Sequence, residues 1–74
     1  MNLADKTGLV LIKGSIKHLS KEKMLGLISI VVSFEKESPE SSKEILDSVN
    51  KEWFKRNYDL KELADYLVLL RKLE

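Results

Sequence analysis

Apolar and polar positions alternate with a helical period on both sides of one break, Glu37-Ser38-Pro39-Glu40-Ser41-Ser42. Pro39 biases Ser38 away from helical geometry, and the serines favour turns and caps. Past the break, Leu46, Val49 and Trp53 recur at helical spacing and Ile45 widens the stripe. Lys43, Asp47, Lys51 and Lys55 occupy the opposite side, with Asp47 and Lys51 in the order that favours an i,i+4 ion pair. Ser41 with Glu44 three residues on has the form of a capping box, so the pattern predicts a helix over 42–57. Asp59 with Glu62 repeats that form. Leu60, Leu63, Leu67 and Leu70, broadened by Tyr66, Leu69 and Leu73, predict a helix over 59–73. Its wide apolar face implies more than one neighbour. Arg71 and Lys72 in the last turn suit the helix dipole.

Before the break, Ile28, Ile30, Val31 and Val32 favour a strand by propensity. The polar positions argue otherwise: Glu22, Gly26, Ser29, Ser33 and Lys36 fall on one line at three- and four-residue spacing, opposite Met24, Ile28 and Val31. That period predicts a helix over 20–36. Leu9, Ile12, Ile16 and Leu19 fit a further helix over 2–18. Gly8 and Gly14 also bracket Leu-Val-Leu-Ile-Lys, which could be a short strand. The expected fold is therefore all-α, a small bundle of about four helices packed antiparallel through short turns. The alternative is α+β, with a short N-terminal strand pairing near 28–34. The expected core is Leu9, Ile12, Ile16, Met24, Ile28, Val31, Leu46, Val49, Trp53, Leu63, Leu67 and Leu70.

Length changes the picture by limiting that core. Seventy-four residues make one domain, spanning 1–74, and such a chain usually gains stability from disulfides, metals or a partner. There is no cysteine and one histidine, which excludes disulfides and His-rich or thiolate metal sites. Self-association is the device that remains. Thirteen basic residues against twelve acidic ones give a net charge of +1, far from the basic balance of a nucleic-acid binder. Residues 1–34 carry five lysines against Asp5 and Glu22, whereas the rest of the chain is mildly acidic. No signal-peptide pattern is expected in the opening residues. The longest apolar run, Met24 to Phe34, covers 11 residues where a bilayer span needs about 20. A cytoplasmic protein with no membrane association is expected.

Candidate chemistry is sparse. Gly8, Gly14 and Gly26 are scattered and form no phosphate loop. His18 stands near Ser15 and Ser20 but has no second base, and a surface or cap role is expected. Glu35, Glu37, Glu40 and Glu44 lack the alternation of a calcium loop and are expected at a solvated helix end. Lys13, Lys17 and Lys21 would line one face only if a single helix ran that far. No catalytic residue, cofactor or metal is expected, and the chain is expected not to be an enzyme.

Trp53, Phe54, Arg56 and Tyr58 lie within six residues. Adjacent Trp53 and Phe54 point about 100° apart on a helix, which sends them to different surroundings. Trp, Tyr and Arg are also the residue types enriched at interface hot spots. Trp53, Tyr58, Tyr66 and Leu69 are thus the candidate protein-binding residues, with a seam on the last two helices; the alternative for Trp53 and Tyr58 is that they are core anchors, since a chain this small needs its aromatics inside.

Asp59-Leu60-Lys61-Glu62-Leu63-Ala64-Asp65-Tyr66-Leu67 resembles the first helix of a bacterial helix-turn-helix of the arabinose-regulator or repressor kind. Ile45, Val49, Trp53 and Asn57-Tyr58 are similar to the supporting helix of such domains. The resemblance covers about 15–20 residues, a common amphipathic pattern, and implies a nucleic-acid-binding factor. The sequence departs from it at Val68, where the turn glycine usually sits, and at Leu69-Leu70, where a polar cap is usual. The chain also ends at Glu74, where a recognition helix would have to follow.

The expectation is a small non-enzymatic regulator or adaptor of bacterial or phage style. It would occupy another protein's surface through helical apolar and aromatic faces, with a homodimer possible and nucleic acid not the expected partner. The alternatives are a helix-turn-helix-like nucleic-acid-binding factor and a purely structural homo-oligomer.

Overall fold

Each helix begins and ends where side-chain chemistry permits. The computed structural model describes residues 6–73, and its helices are α1 (Lys6–Ser15), α2 (Lys21–Ser33), α3 (Pro39–Lys55) and α4 (Leu60–Lys72), with a 3₁₀ turn at Ile16–His18 after α1. No strand occurs among the described residues, so the all-α fold is the one adopted. The 2–5 part of the expected first helix lies outside the described residues.

Ser20 caps α2, its hydroxyl accepting from the Lys23 amide at 3.2 Å. Asp59 caps α4, its carboxylate accepting from the Lys61 amide at 2.9 Å. The start of α3 differs from expectation. Ser41 is inside the helix and caps nothing, because Pro39 occupies the first helical position after Ser38. Proline fits there, since its fixed φ is helical and the missing amide would have had no intrahelical partner. The i,i+4 pair of Asp47 and Lys51 does not close into an ion pair among the described residues. At the other end of α3, Asn57 adopts φ 63°. The Tyr58 amide donates to the Trp53 carbonyl at 3.1 Å and the Asn57 amide to Phe54 at 3.0 Å. This is a Schellman closure, which needs a left-handed residue that Gly or Asn supplies at least cost.

Two ion pairs fix the helix directions. Lys21 and Glu62, in the first turns of α2 and α4, meet at 2.7 Å. Glu35, just past α2, meets Arg71 in the last turn of α4 at 2.6 Å. Helices α2 and α4 therefore run parallel, with α3 antiparallel to both, while α1 and the 3₁₀ turn pack on α3. The result is flattened, 31 × 28 × 16 Å.

The core is one cluster of Ile16, Met24, Ile28, Val31, Val32, Ile45, Val49, Trp53 and Leu63. Leu9, Ile12, Leu46, Leu67 and Leu70, also expected inside, are half-buried and packed against it. On α3 the buried line is Ser42, Ile45, Val49 and Trp53. Val49 and Trp53 are buried as expected; Ile45, expected to widen the stripe, is fully buried, while Leu46 is half-buried, because α3 is covered by α1, α2 and α4 together.

Candidate functional site

The sharp corner between α3 and α4 gathers the aromatic group. Trp53 is wholly buried, and its indole Nε1 donates to the Asp59 carbonyl at 2.7 Å. Tyr58 meets it edge to face, with ring centroids 5.1 Å apart. The Lys21 ammonium sits 5.6 Å from the Trp53 ring and 5.5 Å from that of Tyr58, within cation–π range. The hydrogen bond that the Lys21 ammonium donates to the Glu62 carboxylate holds the Lys21 pKa above the ordinary lysine value. Arg56 reaches away from the corner to the end of the 3₁₀ turn. Its Nη1 donates to the Leu19 carbonyl, its Nη2 to the carbonyls of Lys17 at 2.9 Å and Ile16 at 3.3 Å, and its Nε to Glu52 at 2.8 Å. The hydrogen bond that Arg56 donates to Glu52 is the chief cause that raises the Arg56 pKa above the ordinary arginine value.

The four candidate binding residues are therefore not brought together as one surface. Trp53 presents no side-chain area to a partner, and Phe54 beside it is 70% exposed. Tyr58 and Tyr66 are half-buried against the core. Leu69 is 54% exposed, on the outer side of α4.

The concave feature lies on the other side of the corner. A groove of about 460 Å³ runs between α3 and α4. Ile28, Val49 and Leu63 form its buried floor, and Leu46 and Leu67 its half-buried walls. Along α3 the rim is polar, with Lys43, Asp47 and Asn50. Along α4 it is apolar, with Leu60 and Ala64, and the Glu35–Arg71 pair stands at one end. Leu46 and Leu67, expected in the core, are half-buried here and line the groove. The signal that pointed further was the apolar breadth of α4, more than one neighbour can cover.

The other candidate clusters disperse. Glu35 pairs with Arg71 and Glu44 with Lys13 at 3.8 Å, and no metal-holding group of His, Asp or Glu occurs among the described residues. The lysine stripe is broken at Leu19-Ser20, which sends Lys21 onto Trp53 while Lys13 and Lys17 stay with α1 and the 3₁₀ turn. Helix α4 runs without interruption through Val68, so no turn follows the segment that resembles a helix-turn-helix. No helix among the described residues is long and apolar enough to cross a membrane.

No protein-family model, no curated protein and no solved structure matches the chain.

Proposed function

We propose that this chain is a non-enzymatic regulator or adaptor of the cytoplasm that captures an amphipathic helix of a partner protein in the α3–α4 groove. The observation that supports this reading is the groove itself: an apolar floor and walls, one polar rim and one apolar rim. Helix-in-groove recognition uses that arrangement, with apolar anchors recurring at three- and four-residue spacing in the channel. The polar rim specifies the occupant's charges. Lys43 and Asp47 stand one turn apart on α3, so the partner helix carries an acid facing Lys43 and a base facing Asp47. Neither side chain forms an ion pair among the described residues, which leaves both for that role.

The test is fluorescence anisotropy with two labelled synthetic helices. One has leucines at the anchor spacing flanked by an acid and a base one turn apart. In the other, lysine replaces the acid. The first is expected to bind the wild-type chain and to lose at least about tenfold in affinity to Ala64→Arg, which fills an exposed rim position. Lys43→Glu is expected to transfer preference to the second helix. Equal binding of both helices by wild type and by Lys43→Glu would overturn the proposal, as would binding unaffected by Ala64→Arg.

A further inference from the structure

We infer that the outer face of α4 is a self-association surface, on which a second copy of this chain lays its own α4 antiparallel across a two-fold axis near Val68 and Leu69. The face is distinct from the groove. Leu60, Ala64, Leu67 and Arg71 look into the groove at spacings of four, three and four. Lys61, Asp65, Val68 and Lys72 repeat that spacing one residue later, about 100° around the helix. Val68 and Leu69 are 52% and 54% exposed, each well beyond what a covered side chain shows.

Charge placement says what covers them. Asp65 and Lys72 are exposed and form no ion pair among the described residues. Seven residues separate them, about 10 Å along the axis, too far for them to pair with each other. They lie on one line of the helix, each about 5 Å from the midpoint between Val68 and Leu69. An antiparallel twin centred on that midpoint sets each Asp65 opposite the partner copy's Lys72, twice by symmetry. Val68 of each copy then meets Leu69 of the other, again twice by symmetry. Isologous contacts require this self-complementarity, in which a residue meets its opposite rather than its like. A helix-on-helix contact is at the small end of specific interfaces, so the dimer is reversible, forms at micromolar concentration and weakens with added salt.

Sedimentation velocity over a concentration series tests this with the full chain. Wild type is expected to pass from one to two chains' mass with increasing concentration. D65K alone and K72D alone each face like charges across the axis and are expected to associate roughly tenfold more weakly or worse. The decisive arm mixes the two: D65K and K72D present complementary charges to each other, so the mixture is expected to form a heterodimer that neither forms alone. All these positions are exposed, and circular dichroism verifies that each variant is folded. A wild-type chain that stays monomeric at high micromolar concentration overturns the inference. So does a dimer indifferent to either charge reversal, which places the contact elsewhere on the molecule.

Discussion

At the scale of single residues, the least expected feature is Ser42. It stands in the polar break around Pro39, yet it is wholly buried inside α3, and its hydroxyl has no hydrogen-bond partner among the described residues. A buried hydroxyl without a partner forfeits its hydration and regains nothing. Ser42→Ala should therefore stabilise the fold by about 1 kcal/mol, seen as a higher urea midpoint at unchanged m-value. A lower midpoint would show that the hydroxyl is satisfied in solution. Lys21 gives a second residue-scale prediction, in pH. Its folded pKa is raised above 10.5 chiefly by the Glu62 hydrogen bond. Its contribution is thus complete below that ordinary value and is lost as pH climbs through the raised one. The difference in melting temperature between wild type and Lys21→Met should be constant from neutral to mildly alkaline pH and narrow above about pH 10.5. A gap that persists there would mean that the effect does not come from the Lys21 charge.

At the scale of elements, the helices were readable wherever one face stays in water. The line of Glu22, Gly26, Ser29 and Ser33 outweighed the β-branched run of α2 because that line faces out, while Met24, Ile28 and Val31 are wholly buried. Asp59 was readable as a cap for the same local reason. The start of α3 was missed because proline both breaks helices and begins them, and only the chain's entry angle decides which. Gly26 follows from the exposed line: it is helical, with open space where a Cβ would go. Gly26→Ala should stabilise by about 0.5–1 kcal/mol in chemical denaturation. Helix α1 is a different case. In the segment 8–18 only Ile16 is wholly buried, and Val10 and Leu11 are more than two-thirds exposed. Leu9, Ile12 and Ile16 pack this segment on the core, and the Arg56 guanidinium ties down its end by spanning three carbonyls with a planar fork that a lysine ammonium lacks. Arg56→Lys should speed amide hydrogen exchange in residues 9–19 while leaving the α2–α3–α4 core protected. Uniform acceleration across the chain would mean that α1 and the core open together.

At the scale of the whole molecule, what sequence could not show is how the helices leave surface uncovered. Leu46 and Leu67 belong to apolar stripes, and a stripe predicts burial without saying whether a neighbouring helix or an open groove lies against it. Trp53 fits both an expected core position and an interface hot spot by residue type, and the Schellman turn at Asn57 and the bond to the Asp59 carbonyl fold the corner over it, so the core reading is the one that holds. The flattened shape leaves two faces of α4 to explain. One is a groove with a mixed-charge rim, the other a convex strip with self-complementary charges. Their proposed occupants are separate, a partner's helix for the groove and a second copy for the strip.

The most direct measurement of the central claim is a chemical-shift map of the isotope-labelled chain titrated with the leucine-anchored helix bearing one acid and one base. Progressive shifts are expected at Ile28, Lys43, Leu46, Asp47, Asn50, Leu60, Ala64 and Leu67, with Lys17, Lys23 and Lys55 unmoved. Shifts scattered over the whole surface, or confined to residues outside the groove, would contradict it.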